Sequence, residues 1–347
     1  IAAGDTVLAH DLRIAADAGR IDVSGAIDAS GKQAGQVSLF ARDDVSLHGG
    51  ASIDAHATGA GEKGGSVTLG STTGNLDLQT GANLNVAGAD DATPTHAPTD
   101  TGTVHLRAAR NTSNDGVNIK PIAATIAGAD RIDIEAYKTY SLTNGSIDSR
   151  IATIQSETGT YMNSTNVANI KTTLGIGSDT RYHLLPGVEI QSSGSLSLNT
   201  DWDLFGSGWR YGGEAGVLTL RAAGNLTFNK TLSDGIKHES VSLDVYTFPE
   251  RDVVKTGSSW SYRLAGGADR AAADPLAVQT GVGDVTLGSG AKLRTGTGDI
   301  DIAAGKNLIL TDSSAAIYTA GVNRGTGGVP AKAGGYFTAA EVQERLY

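Results

Sequence analysis

Hydrophobic residues recur in short alternating runs along the stretch from Gly283 to Tyr318. Gly, Asp, Asn, Ser or Thr fills each gap between runs, which is the pattern of short strands joined by turns. The successive runs are marked by Val285, Leu293, Ile300, Leu308 and Ile317, spaced seven to nine residues apart. Gaps this short leave no room for crossover helices, so the chain is expected to turn a corner after each strand.

Three such strands close one coil of a parallel β-helix, in which each strand pairs with the strand one coil earlier. Apolar residues at equivalent positions of successive coils support this repeat. Ile21 corresponds to Val45 and Ile27 to Ile53. Where loops lengthen the coil, Val37 corresponds to Val67, Val45 to Leu76 and Ile53 to Leu84. Parallel crossovers are overwhelmingly right-handed. The predicted fold is therefore all-β, a right-handed parallel β-helix (solenoid) with about 25 residues per coil.

Strand alternation also predicts which side chains face the inside of the coils, because a one-residue shift would turn every side chain to the other face. The expected core ladders are Val37, Leu39, Val45, Leu47, Ile53, Val67, Leu69, Leu76, Leu78 and Leu84, and later Leu218, Leu220, Leu226, Val285, Leu287, Ile300, Ile302 and Leu308.

The β pattern fails between residues 137 and 185. There, apolar residues at Tyr161, Val167, Ile170 and Leu174 follow helical spacing and precede Gly175, which predicts one short helix. Near the end of the chain, Thr338 and Glu341 form a capping box that predicts a C-terminal helix. The expected organisation is β-helix coils over 1–134, a loop-rich insertion with a short helix over 135–186, coils with an aromatic-rich excursion (244–264) over 187–330, and the start of a truncated helical segment over 331–347.

Composition narrows the class of protein. The chain has 47 Gly but only 7 Pro, is 39% hydrophobic and has 5% aromatic residues, which suits a narrow aliphatic core. A dispersed net charge of -10 argues against nucleic acid as a partner, and no apolar run is long enough to span a membrane. The absence of Cys excludes disulfides and thiolate zinc sites. The chain starts at Ile1 without a signal peptide, so we expect an internal fragment.

Catalytic and metal motifs are weak. Asn199, Thr200 and Asp201 match the first signature of polygalacturonases, but the companion signatures that should follow are missing, and such residues also serve coil corners. The seven His residues form no i, i+4 pair and no compact ligand set. We therefore predict no catalytic residues, no metal site and no cofactor, and expect that the protein is not an enzyme.

All three Trp residues and half of all aromatic residues lie between Trp202 and Tyr262. Exposed aromatic rings beside charged residues can stack on sugars, so a glycan-stacking site is one interpretation of Trp202, Trp209, Tyr211, Trp260 and Tyr262. The alternative is that these rings pack an excursion against the coils. Arg210 and Arg263 could serve either interpretation by stacking on the rings.

The segments PGVEIQSSGSLSLNTDWDLFGSGWRYGGEAGVLTLRAAGNLTF, SSWSYRLAGGADRAAADP and LRTGTGDIDIAAGKNLILTDSSAAIYTAG resemble the filamentous haemagglutinin family. The resemblance is detailed from about Pro186 to Gly321, and the earlier segment YMNSTNVANIK also fits it, whereas residues 1–134 match only as a generic β-helical repeat. Members of this family are large exoproteins of Gram-negative bacteria, exported by two-partner secretion.

The resemblance implies a structural or adhesive rod segment of a secreted exoprotein at the cell surface, whether adhesin, biofilm protein or toxin-presenting stalk. Its implied partners are an outer-membrane two-partner-secretion transporter and an unidentified host or bacterial receptor or glycan. The alternative is a carbohydrate-active β-helix enzyme, either a polysaccharide lyase or a hydrolase. Three or more carboxylates, or a carboxylate–Arg pair, on one exposed concave face would favour the enzyme.

Overall fold

The computed structural model describes residues 1–89, 101–243 and 246–321, and this part of the chain is mostly β. The strands before the helices are β1 (Thr6–Leu8), β2 (Asp11–Ala16), β3 (Ile21–Val23), β4 (Ala26–Asp28), β5 (Gln36–Ala41), β6 (Val45–Leu47), β7 (Ser52–Asp54), β8 (Ser66–Ser71), β9 (Leu76–Leu78), β10 (Asn83–Asn85), β11 (Gly102–Ala109), β12 (Thr125–Ala127), β13 (Ala129–Leu142) and β14 (Gly145–Ser146).

Two α-helices follow, α1 (Ile151–Tyr161) and α2 (Ser164–Thr173), with 3₁₀ helices at Asp148–Arg150 and later at Ser207–Trp209. The remaining strands are β15 (Tyr182–Ser192), β16 (Leu196–Leu198), β17 (Trp202–Asp203), β18 (Val217–Ala222), β19 (Leu226–Phe228), β20 (Leu232–Ser233), β21 (Ile236–Leu243), β22 (Tyr246–Val254), β23 (Ser261–Gly266), β24 (Val285–Leu287), β25 (Lys292–Thr295), β26 (Ile300–Ala304), β27 (Leu308–Leu310) and β28 (Ala316–Thr319).

The strands form parallel sheets that the chain visits in rotation. The largest has nine strands in the order β2-β5-β8-β11-β13-β15-β18-β23-β26. Two five-stranded sheets (β1-β4-β7-β10-β12 and β14-β16-β19-β24-β27), a three-stranded sheet (β3-β6-β9) and a four-stranded sheet (β17-β20-β25-β28) complete the set. Apart from β21 and β22, which pair with each other, consecutive strands lie in different sheets, an arrangement consistent with a β-helix-like fold.

The predicted equivalences are confirmed by the register. Ile21 lies opposite Val45 and Ile27 opposite Ile53. The longer offsets hold as well, since all three pairs predicted across the inserted loops are Cα partners in neighbouring parallel strands: Val37 with Val67, Val45 with Leu76 and Ile53 with Leu84. Apolar side chains thus stack in ladders from strand to strand, and this stacking forms the core.

The core prediction is correct for every ladder residue up to Leu287, all of which are at most 1% exposed. It is wrong at the far end, where Ile300 and Ile302 are half-buried and Leu308 is 48% exposed. In the described part, β26 and β27 are the last strands of their sheets, so no further strand covers these side chains. Ile300 and Leu308 keep the parallel register with Tyr262 and Val285, but no described strand lies beyond β26 and β27.

The helical insertion is larger than predicted. Helix α2 ends where the sequence indicated, with Leu174 as its C-cap and Gly175 in the left-handed region at φ +71°. Helix α1 was missed because its buried face has only Ile154, Thr158 and Tyr161, a weak apolar signal. Both helices are too short and too polar to span a bilayer, and no other helix in the described residues is a candidate. The predicted C-terminal helix and segment 331–347 lie outside the described residues.

The segment predicted to leave the coils at 244–264 begins and ends earlier in the structure. The segment that leaves the parallel sheets is the antiparallel hairpin of β21 and β22, which begins at Ile236. Residues from Ser261 onward belong instead to β23 in the nine-stranded sheet. The alternation of polar and apolar residues in the hairpin resembles that of the coils, which hid its start.

The nine-stranded sheet is strongly curled. Strands β11 and β23 are four positions apart, which corresponds to ~19 Å in a flat sheet. Their side chains nevertheless meet, because Arg263 Nη2 lies 3.4 Å from His105 Nε2. The face of the sheet opposite the apolar ladders is therefore concave. Asp274, in the loop after β23, even reaches Arg13 in the first strand of the sheet, with Arg13 Nε donating to its Oδ2 at 2.6 Å.

Candidate functional site

The five aromatic residues predicted as a glycan-stacking surface lie together, but mostly inside the protein. Trp202 starts β17, Trp209 ends a 3₁₀ helix, and Trp260 and Tyr262 lie at the start of β23. These four side chains are at most 4% exposed, and only Tyr211 is half-buried. Their ring faces are covered in this conformation, which favours the packing interpretation over sugar stacking.

The contacts within this aromatic cluster are specific. Trp209 is the central ring, with its centroid 5.5 Å from Trp202 and 5.8 Å from Trp260, the latter edge to face. Such tilted and edge-to-face geometries are the favoured ones for aromatic pairs. Trp260 Nε1 donates to the Trp209 carbonyl at 3.0 Å, so the buried indole of Trp260 keeps a partner. The cluster is a small core that fixes the segment before β18 against β23.

A buried carboxylate ties the cluster together. Asp234 Oδ1 accepts from Arg210 Nη2 at 2.6 Å, and its Oδ2 accepts from the Trp260 backbone N–H at 2.5 Å. Burial raises the pKa of Asp234, although Arg210 opposes that shift. The Arg210 guanidinium lies 5.4 Å from the Phe205 ring, not over Trp or Tyr as predicted. Its role here is to balance the charge of Asp234.

A concave, charged groove of about 300 Å³ lies directly over this cluster. Its floor includes Gly216, where a Cβ atom would come within 2.6 Å of the Trp260 ring, so the backbone rests on the indole. We call it the charged groove and define it by six polar residues that line it: Arg131, Asp133, Ser259, Arg263, Asp299 and Asp301.

Strand alternation places these groups on one face. Asp133 lies between the core residues Ile132 and Ile134 of β13, and Asp301 lies between Ile300 and Ile302 of β26. Each must therefore point away from the apolar ladders. The two strands are four positions apart in the sheet, and the curl brings both carboxylates to the same hollow.

Two carboxylates of the groove, Asp133 and Asp301, have raised pKa values. Burial raises the pKa of Asp133, against the effect of Arg131, and burial likewise raises the pKa of Asp301, against the effect of Arg263. Arg131 Nε lies 2.7 Å from Asp133 Oδ1 but is poorly aligned, so this buried oxygen has no well-formed hydrogen bond. Arg131 also reaches Glu214, with 3.2 Å between Nη2 and Oε2.

A buried ion network borders the groove on the same face of the sheet. Glu135, fully buried, accepts from Arg107 Nε at 3.1 Å and from Arg263 Nη1 at 2.7 Å, and its Oε2 lies 2.7 Å from His105 Nε2. Arg107 is also paired with Glu189. Burial alone would raise the pKa of Glu135, but Arg263 and Arg107 hold it well below its usual value.

The loop after β23 covers part of this network. Arg221 Nη2 donates to the Asp269 and Ala272 carbonyls at 2.6 and 3.1 Å. The Ala273 N–H donates to Asp17 Oδ1 at 2.8 Å. The loop therefore lies over part of the concave face and packs against charged groups that would be solvated on a flat sheet.

The charged groove lies in the region that the sequence singled out, but its polar residues are not among those named there. The groove lies over Trp260, inside the stretch singled out for its rings, yet its chemistry comes from outward-facing positions in IDIE and DIDI. The signal available was a charge on the outer face of two strands. That signal is ambiguous, because outward charges on a strand are normally solvated and without partners.

Other candidates are weaker. A hollow of about 410 Å³ lies between His10, Lys32, Gln33 and Glu62, but none of these side chains is fully buried. Asp201 takes the role expected of a corner residue, since its Oδ1 accepts from the Thr231 N–H at 2.8 Å. Across residues 1–89, 101–243 and 246–321, no group of three His, Asp or Glu side chains is arranged to hold a metal ion.

In comparisons with known proteins, no family model, no curated protein and no solved structure matches this chain.

Proposed function

We propose that this protein is a structural and adhesive segment of a secreted, filamentous-haemagglutinin-like exoprotein, built as a right-handed parallel β-helix (solenoid). The observation that carries this proposal is the register, in which strands of several parallel sheets pair with the equivalent strand one repeat away. Such repeats contact only their neighbours along the stack, which suits an extended scaffold. The right hand follows from the general rule for parallel crossovers.

The cellular location and the partners in this proposal come from the sequence resemblance. On the basis of that resemblance we propose that the protein acts at the surface of a Gram-negative bacterium, after export through an outer-membrane two-partner-secretion transporter, with a receptor or glycan as its partner. The absence of Cys suits a chain that crosses an oxidising compartment unfolded. No feature of the described residues favours one of the three family roles (adhesin, biofilm protein or toxin-presenting stalk) over the others.

Two measurements test this proposal. Small-angle scattering of the chain in dilute solution should give an elongated particle whose cross-section is that of one coil. Beads coated with the chain should attach to mammalian or bacterial cells more strongly than beads coated with an acidic control protein of equal charge. A near-spherical particle would contradict the solenoid, and attachment equal to that of the control would contradict adhesion.

A second function is favoured by the charged groove. Asp133, Asp299 and Asp301 lie with Arg263 on one concave face, and carboxylates grouped in this way are the feature expected of a carbohydrate-active β-helix enzyme. The raised pKa of Asp133 and of Asp301 would suit a general acid. Incubation with a panel of plant and bacterial polysaccharides should then release reducing ends or unsaturated products, and Asp133→Asn should abolish that release. Absence of product across the panel would exclude this alternative for those substrates.

A further inference from the structure

The parallel strands fall into two groups that share one sheet. The sheets β1-β4-β7-β10-β12 and β3-β6-β9 contain only strands that precede β13, whereas β14-β16-β19-β24-β27 and β17-β20-β25-β28 contain only strands that follow it. Among the described parallel sheets, the nine-stranded one alone continues from one group to the other. The buried apolar residues form two clusters to match, one from Ile21 to Leu184 and one from Ile147 to Ala315. We call the two groups the first stack and the second stack.

Strands β13 and β15 join the two stacks. On the first-stack side, β11 pairs with β13 as far as Tyr137; on the second-stack side, β18 pairs with β15 from Gly187 onward. Tyr137 and Gly187 lie opposite each other, so the pairing of one stack ends along the strands where that of the other begins. A change of curl near these two strands therefore alters the angle between the stacks without breaking the ladders within either one.

The loop over residues 267–284, after β23, bridges the stacks on the concave face, and we call it the strap. Its attachment to the second stack is buried. Arg221 is 2% exposed and donates to the Asp269 and Ala272 carbonyls at 2.6 and 3.1 Å. The Ala268 N–H also donates to the carbonyl of the last residue of β18 at 2.7 Å. The strap is therefore held as part of the second stack.

The attachment of the strap to the first stack is more exposed. Arg13 Nε donates to Asp274 Oδ2 at 2.6 Å, and these side chains are 49% and 13% exposed. The Ala273 N–H donates to the exposed Asp17 at 2.8 Å. Exposed ion pairs contribute little, and salt screens them, because the Debye length falls from ~10 Å at 0.1 M to ~3 Å at 1 M. This attachment is thus the weaker of the two and depends on ionic strength.

A second bridge between the stacks lies deeper. Arg263 Nη1 of the second stack contacts Glu135 Oε2 at 2.7 Å, and these side chains are only 16% and 1% exposed. Salt screens buried pairs much less than exposed ones. Rising ionic strength should therefore weaken the contacts of the strap first and leave this inner bridge in place.

Phe40 marks the surface that the strap helps to cover. It follows the core residue Leu39 in β5, so alternation turns its ring to the concave face, yet Phe40 is only 5% exposed. The guanidinium of Arg13 lies 5.1 Å from the centre of this ring and is held there by Asp274 of the strap. Loss of the Arg13–Asp274 pair would release the cover on this side of the ring.

From these observations we infer that the strap is a salt-sensitive clasp between the two stacks. At low ionic strength it holds the outer end of the first stack against the second, and it releases that end when the Arg13–Asp274 pair is screened. Release keeps both stacks folded and exposes Phe40. This conformational role goes beyond the proposed scaffold and does not depend on adhesion.

The test uses the whole chain with two introduced cysteines, which are its only ones because the sequence has none. Ala18→Cys, in the turn after β2, and Arg270→Cys, in the strap, are exposed positions that flank the Asp17–Ala273 contact and carry spin labels. Electron paramagnetic resonance should show dipolar coupling between the labels while the clasp is closed. We expect the fraction of separated labels to rise ~2- to 5-fold between about 0.05 and about 1 M NaCl, as for loss of one exposed ion pair.

Arg13→Gln should give the larger separated fraction already at low salt, because it removes the charge that binds Asp274. The control is Arg20→Gln, the same change at an exposed Arg whose partner, Asp22, belongs to the first stack. The clasp is refuted if the labels are uncoupled at low salt, if neither salt nor Arg13→Gln separates them, or if Arg20→Gln separates them equally. Thermal unfolding of the labelled chain at both salt concentrations is measured in parallel, and separation that occurs only where the chain unfolds would refute it too.

Discussion

The buried carboxylate of Glu135 offers the sharpest test of how the concave face is held together. It contacts Arg107, Arg263 and His105, which come from strands on both sides of β13. The substitution Glu135→Gln keeps the size of the side chain and removes its charge. Arg263 then loses its carboxylate at 2.7 Å, whereas Arg107 keeps Glu189.

The expected cost is large, because breaking a buried ion pair by removing one partner typically costs ~3–5 kcal/mol. Its pH dependence has a definite sign. The pKa of Glu135 is depressed in the folded protein from an ordinary value of 4.5, so its stabilisation is complete above that value and declines as the pH falls below it. The difference in stability between the unaltered protein and Glu135→Gln should therefore be greatest at neutral pH and shrink on acidification.

Guanidinium unfolding, followed by the fluorescence of the buried Trp residues, measures both effects. The matched control is Glu157→Gln, since Glu157 pairs with Lys138 at 2.8 Å but is 39% exposed. That pair should be worth no more than ~1 kcal/mol. If the two substitutions cost the same, or if the Glu135→Gln difference persists unchanged in acid, the buried network does not stabilise the curl.

Four further substitutions test the core, the aromatic cluster and the long-range contact. Leu287→Ala should cost ~2–5 kcal/mol in unfolding free energy, because the side chain is fully buried, whereas Leu308→Ala at the exposed end should cost ~0.5 kcal/mol or less; equal costs would contradict the register. Trp209→Ala should cost ~3–5 kcal/mol and shift the emission of the remaining Trp residues to the red, since the ring packs between two others; an unchanged spectrum would contradict this packing. Arg13→Gln should lower the free energy of unfolding by no more than ~1 kcal/mol, because Arg13 is 49% exposed. A larger loss of stability in thermal scans would mean that the contact with Asp274 stabilises the protein more than an ordinary surface ion pair.

The parallel pairing could be predicted from the sequence because it depends on local repetition. Ile27, Ile53 and Leu84 stand in equivalent places in successive repeats, and period-2 alternation fixes which face each one takes. The same reasoning missed helix α1, whose stability comes from tertiary packing of Ile154 and Tyr161 rather than from a strong periodic pattern.

The curl could not be predicted, since it is a property of the whole sheet. Nothing near Glu135 in sequence indicates that Arg263, 128 residues later, will contact it. The groove was missed for the same reason. Outward-facing Asp residues such as those of β13 and β26 line a common hollow only because the curl brings the two distant strands together. The sequence left open whether the aromatic rings bind a sugar or pack in the core, because burial, not composition, decides between the two.

The contact between Arg13 and the loop after β23 has a mechanical consequence. If tension is applied between β2 and β26, the side-chain contacts that bridge the concave face are loaded before any strand leaves its neighbour. Arg13–Asp274 and the bond from Ala273 to Asp17 would break first, so the first part of the sheet would move away from the loop while the Glu135 network and the ladders stay intact. We therefore expect a short, reversible extension at low force before the molecule unfolds. Under tension the protein should stretch slightly and recover, instead of staying rigid until it unfolds.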